Sequence, residues 1–319
     1  MKWLKSILLS VLGLLLLWLA LRNLPLQQLG AQLKQANYWL IIPVFVVTLL
    51  GYIVRIKRWQ LLYNNLQFKV PFKTMWVALC AGYLVSYVVP RGGEITRCLI
   101  VKRYNNVPFT QSIASVIVER LTDTFCLLFL IVSILVFNVH QTSSFFMDNI
   151  IQPITNTLHF NGILFVVILG IAALVGGYFL INKKVSNSTW VNQFIDALKS
   201  MVLLKQKWFY FLFTSLIWVG YFLMTYIWIF AFDESHSLNA QQVFVVMIIG
   251  TIGKSVPIQG GGMGAYHYLV AQAFLLFGVS LVVGNALAII IHGTQTLFTL
   301  ITGSTAYLML MYDEKGRNL

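Results

Sequence analysis

The sequence is short of charge. Only 10% of its 319 residues are Asp, Glu, Lys or Arg, where a soluble domain carries about 25%. With 59% hydrophobic residues and a mean hydropathy of +0.80, that scarcity excludes an ordinary water-facing surface. Polar sequence is scarce as well. The longest such stretch, 183–208, is too short to build a core of its own, which excludes a separate soluble domain. Acids number nine against 22 basic residues, a net charge of +13. In so apolar a chain that excess reads as membrane orientation, and no nucleic-acid partner is expected. The three cysteines, Cys80, Cys98 and Cys126, lack paired spacing, so neither a disulfide framework nor a metal site is expected. The sequence holds no Walker-type phosphate-binding loop, and no cofactor is expected.

What is present is a set of long apolar runs. Crossing about 30 Å of hydrocarbon takes about 20 helical residues. Runs of that kind lie at 4–21, 38–56, 110–137, 161–182, 209–232 and 279–311. The first follows Met1-Lys2-Trp3-Leu4-Lys5 and lacks a small-x-small cleavage site, so it reads as an uncleaved helix rather than a signal peptide. Two further apolar stretches, 74–104 and 241–277, are interrupted. One breaks at Pro90-Arg91-Gly92-Gly93-Glu94, the other at Pro257-Ile258-Gln259-Gly260-Gly261-Gly262-Met263-Gly264.

Charge orients these runs. Seventeen of the 22 basic residues can be placed on one side, including Arg55, Lys57, Arg58, Lys69, Lys73, Arg97, Lys102 and Arg103. The other side keeps Arg22 and Lys34. This positive-inside pattern predicts a multi-pass protein with both termini cytoplasmic. It requires each interrupted stretch to enter and leave on the same side. The arms 74–89 and 241–256 are 16 residues long, about 24 Å as helix, which suits re-entrant hairpins. The alternative is a full in-and-out pair with a distorted helix.

Residues 1–137 then read helix, helix, hairpin, helix from inside to outside. Residues 161–311 read the same from outside to inside. The expectation is one all-α membrane domain over 1–319, with about six transmembrane helices and two re-entrant hairpins arranged as an inverted repeat. Interrupted segments at matching positions of two halves point to a transport site.

Six charged residues remain at membrane depth: Arg91, Glu94, Glu119, Arg120, Asp123 and Lys254. Each costs roughly 2.5–3.5 kcal/mol at a helix centre, so they should face protein or water and find partners. Gly92 and Gly93 permit a sharp turn that offers amides to an anion, and Glu94 and Arg97 share a helix face. Gly260, Gly261, Gly262 and Gly264 repeat that chemistry beside Lys254 and His267. A packing role remains open for these glycines, and simple snorkelling for Arg91. Glu119 and Asp123 lie one turn apart. They suit either acid–base work or the holding of Arg91, Arg97 or Lys254. Asn285, His292, Thr296, Thr299 and Gly303 form one polar stripe, in which His292 is a packing histidine or a proton relay.

At these residues the sequence resembles the lysylphosphatidylglycerol synthase transmembrane (flippase-like) family. The likeness rests on Pro90-Arg91-Gly92-Gly93-Glu94-x-x-Arg97, on Glu119-Arg120-Leu121-x-Asp123, and on the Gly261-Gly262-Met263-Gly264 turn after Pro257. It implies a protein of the bacterial cytoplasmic membrane, or an archaeal one, that moves a charged or polyprenyl-phosphate-linked lipid headgroup between leaflets. A lipid synthase or glycosyltransferase is the implied partner. Some relatives carry a fused synthase domain; none is visible here, so synthase activity is not carried over. Many relatives place a glutamate where this chain has His267, which bears on any ion coupling of the second hairpin. Two other classes stay open: a membrane-embedded lipid-modifying enzyme, and a small-solute or ion carrier.

Overall fold

Every regular element among the described residues is helical, as the composition predicts, and no strand occurs there. The computed structural model describes residues 26–89, 91–136, 189–255 and 259–316. The expected spans 4–21 and 161–182, together with Pro90 and Pro257, lie outside the described residues. The helices are α1 (Leu26–Gln35), α2 (Ile41–Asn65), α3 (Phe72–Val88), α4 (Gly92–Asn105), α5 (Phe109–Val136) and α6 (Thr189–Val202). They continue with α7 (Lys207–Trp228), α8 (Ala240–Ser255), the single turn α9 (Gln259–Gly262), α10 (Ala265–Leu276) and α11 (Leu281–Gly316).

Length sorts them. Among the described residues three stretches are long and apolar enough to cross a membrane: Tyr38–Asn65, Lys207–Ala231 and Leu281–Tyr312. The expected span 110–137 forms as one 28-residue helix, α5, which carries three charges near its middle. By contrast α3, α8 and α10 have 17, 16 and 12 residues. At 1.5 Å per residue they reach about 18–26 Å, short of the bilayer core.

The ends of these helices follow from local chemistry. Asn239 and Gln242 exchange side-chain and backbone hydrogen bonds at 2.9 Å, a capping box that starts α8. Glu234 accepts from both the amide and the hydroxyl of Ser280, fixing the start of α11. Gly278, at φ +86°, ends α10 with its amide on the Leu275 carbonyl, and the Val279 amide reaches Phe274.

The chain divides into two compact units, Met1–Phe109 with Gln206–Leu319, and Thr110–Lys205. The second contains α6 and nearly all of α5. In the first, α11 is the hub, touching α1, α2, α3, α7 and α10. Its apolar window is 61% buried, against 22% and 33% for the other two candidate spans. Large apolar side chains such as Trp39, Ile42, Trp208, Phe211, Tyr307 and Leu308 point outward, a surface suited to lipid.

Candidate functional site

The first break is a tight hairpin. α3 and α4 cross so closely that a Cβ on Gly93 would lie 1.9 Å from the Gly82 carbonyl oxygen and 2.3 Å from Ser86 Oγ. Only glycine fits there. Arg91 makes the turn in the left-handed region, φ 61°, ψ 2°, at a cost of about 1–2 kcal/mol for a non-glycine residue. Its side chain is exposed at the tip, and no ion pair holds it among the described residues. Two amides at the turn are already committed. Gly92 N–H donates to Val89 O at 2.8 Å, and Glu94 N–H to Arg91 O at 3.3 Å.

Behind the tip lies a group of buried cations. Arg97 is 3% exposed and stacks its guanidinium 4.2 Å from the Trp59 ring on α2. Next to Trp59, Arg58 is fully buried, donates to Thr214 Oγ1 at 3.2 Å and sits 5.6 Å from the Tyr210 ring. Arg55 donates to the Tyr221 hydroxyl. With the Thr48–Met224 contact, these pairs run α2 and α7 antiparallel.

The second break repeats the close crossing. A Cβ on Gly253 would come 2.9 Å from Tyr266 Cα, and one on Gly262 2.8 Å from the Gly253 carbonyl oxygen. α8 and α10 are thereby held backbone to backbone. Lys254, at the end of α8, donates to Gln295 Oε1 on α11 and lies 4.8 Å from the Tyr266 ring centroid. His267 turns inward to accept the Gly264 N–H on Nδ1 at 3.2 Å. Its ring meets that of His292 edge to face, centroids 4.9 Å apart, and His292 also lies 5.3 Å from Tyr266.

α11 orders the two hairpins. Down its length, Gly284 packs on Phe274 of α10, His292 on Tyr266, and Gln295 on Lys254. Thr296 then meets the Tyr87 hydroxyl of α3 at 3.1 Å, Thr299 the Tyr52 hydroxyl of α2 at 3.2 Å, and Gly303 Leu84 and Cys80. So α10 and α3 both run antiparallel to α11, and the two hairpins approach from opposite ends. Their tips meet between residues 292 and 296, a rise of about 6 Å. Contact between α9 and α3 closes the same junction. Residue 296 lies at the middle of the candidate span Leu281–Tyr312.

In the other unit, α5 carries its own polar group. Arg120 Nη2 lies 2.6 Å from Glu119 Oε1 and 3.4 Å from Asp123 Oδ2. One guanidinium thus bridges both carboxylates of that helix.

Residues 3–303 match the family described as the lysylphosphatidylglycerol synthase TM region. The chain belongs to that family. It is also similar to a UPF0104 membrane protein of Methanocaldococcus jannaschii, 23% identical over 128 residues. That match covers 39% of this chain and 38% of the relative, well under half of its length. No solved structure matches.

Against this family background, several expectations are sharpened. Arg91, Gly92, Gly93, Glu94 and Arg97 gather on one hairpin; Lys254, Gly260, Gly262, Gly264 and His267 gather on the other, joined to His292. The free amides expected at the breaks are corrected in part, since Gly92, Glu94 and Gly264 already donate within the protein. Arg55 and Arg58, assigned to the basic side in the orientation argument, are buried between helices. Gln295 was missed. An amide side chain does not titrate, although a lysine at membrane depth demands an acceptor. Trp59, the platform of Arg97, was missed because a lone tryptophan just past the apolar run 38–56 carries no sequence signal of a cation partner. Among the described residues no three His, Cys, Asp or Glu come together as metal ligands.

Proposed function

We propose that the chain is a lipid translocase that carries a charged or polyprenyl-phosphate-linked headgroup between the leaflets of a bacterial cytoplasmic membrane. One observation carries the reading. Two glycine-broken hairpins approach from opposite ends of α11 and meet, each with a cation at its tip, level with the middle of a membrane-length helix. A headgroup binds at that junction between Arg91 and Lys254, while its tails stay against the outward-facing apolar side chains. The hairpins are re-entrant and belong to the two halves of an inverted repeat, with both termini cytoplasmic. Alternate exposure of the junction arises by movement of one half against the other. The implied partners are the lipid itself and the synthase or glycosyltransferase that makes it. The family description, which names a lipid synthase's membrane region, supports a lipid-handling role.

Arg91 supplies the test. Its left-handed backbone is costly and its guanidinium is exposed, the pattern of a residue held in place for a ligand. A charge-assisted hydrogen bond contributes about 1.5–3 kcal/mol, so Arg91→Ala is expected to cut outer-leaflet headgroup exposure about ten- to hundredfold. Protein abundance should be unchanged. Normal outer-leaflet lipid in that variant, measured by headgroup labelling of intact cells, would sink the reading.

A further inference from the structure

The second hairpin holds a buried titratable cluster without a carboxylate. His267 is 6% exposed, and its Nδ1 accepts the Gly264 N–H that opens α10. A nitrogen that accepts carries no proton, so the neutral ring holds its proton on Nε2. Among the described residues, α8 and α11 pack most closely on α10. They bring Lys254 and His292 to this cluster, and α10 itself adds Tyr266. No Asp or Glu occurs on α8, α9 or α10, nor on α11 before Asp313. Every group on these four helices that could gain charge by taking up a proton here becomes a cation.

We infer that His267 is the proton-binding group of the second hairpin, and that it takes up its proton together with an anion held by Lys254. The inference rests on the headgroup reading above and adds the coupled ion. A proton on Nδ1 would face the Gly264 N–H, donor against donor, and the cap would open. The imidazolium would also stand at a helix N-terminus, where cations are disfavoured, near the Lys254 ammonium. An anion beside Lys254 relieves each of these oppositions. Loss of the cap also frees the Gly264 amide, which becomes a donor for that anion. Proton and anion therefore bind with positive coupling, and by linkage each raises the other's affinity by the same factor. His292, edge to face with the ring, senses the movement and passes it into α11.

The experiment is a 15N-histidine NMR titration of the full chain in nanodiscs, with hydrogen exchange followed at residues 264–268. Phosphatidylglycerol discs supply the anion and phosphatidylcholine discs omit it. The expected result is a His267 midpoint higher by about one pH unit in the anionic lipid, with exchange at Gly264 rising as the ring protonates. In Lys254→Gln the difference between lipids should vanish, which separates binding at Lys254 from proton enrichment at an anionic surface. His267→Gln retains a carbonyl that can accept the Gly264 N–H but takes no proton, so its hairpin should stay protected and lose its pH response. Equal midpoints in the two lipids, or a pH response that survives in His267→Gln, would overturn the inference. Neither readout needs transport. Coupled protonation without lipid movement would sink the translocase alone, and lipid movement with an uncoupled His267 would sink the proton site alone.

Discussion

Gly93→Val is expected to abolish the folded protein. The Cβ of any residue at 93 would sit 1.9 Å from the Gly82 carbonyl oxygen and 2.6 Å from its carbon, and a backbone atom cannot swing aside as a side chain does. Overpacking a close-packed site costs about 1–3 kcal/mol and occasionally more. Here the whole hairpin must separate, so the upper end or beyond applies. Gly220→Ala is the matched control. It lies within α7 with nothing inside 4 Å of its would-be Cβ, and alanine is about 1 kcal/mol better than glycine in a helix. Thermal unfolding of the purified variants separates the two cases. The Gly93 variant should fail to accumulate or melt far below wild type, while the Gly220 variant should melt at or slightly above it. A Gly93→Val protein that melts with wild type would mean that α3 and α4 do not cross here.

That crossing shows what was legible in the sequence and what was not. The breaks were visible because Pro90-Arg91-Gly92-Gly93 and Pro257 to Gly264 interrupt apolar runs, and such interruptions are local. The turns fall within those segments, with α4 beginning at Gly92 and α10 at Ala265. The polar stripe of α11 was equally legible, since helical periodicity alone put His292, Thr296 and Thr299 on one face, and each meets a partner from another helix. What periodicity cannot give is the partner. That Thr296 meets Tyr87 while His292 meets Tyr266, so that two tips converge within about one helical turn, is a tertiary fact. Charge counting has the same limit. It assigns a cation to a side of the membrane but not to a partner, and Arg58 follows the α2 face that packs on α7 and finds Thr214 and Tyr210 there. Its long aliphatic stem and planar head let arginine be buried where lysine is more costly.

Lys254→Met is expected to reduce function as strongly as Arg91→Ala. Methionine keeps the length and the apolar stem and removes the charge, leaving Gln295 Oε1 without its donor and the Tyr266 ring without its cation. The packing at Gly253 and Tyr266 is unaffected, because it is made by backbone and ring atoms. The unpaired Gln295 oxygen costs about 1–3 kcal/mol, but removing a charge from membrane depth relieves about 2.5–3.5 kcal/mol, so folding should tolerate the change. Anion binding should not tolerate it. Loss of a charge-assisted contact of about 1.5–3 kcal/mol lowers affinity about ten- to hundredfold. Lys254→Arg separates charge from geometry. A guanidinium keeps the positive charge but is planar and longer, and the crowded position between Gln295 and Tyr266 admits it poorly, so partial activity is expected. The measurement is lipid movement between leaflets of reconstituted vesicles, read beside thermal stability of the same preparations. Wild-type movement in Lys254→Met would remove the cation of the second hairpin from the mechanism. Equal loss of activity and of stability would make Lys254 a packing residue. Loss of activity in a protein that melts like wild type would place the charge itself where the headgroup crosses.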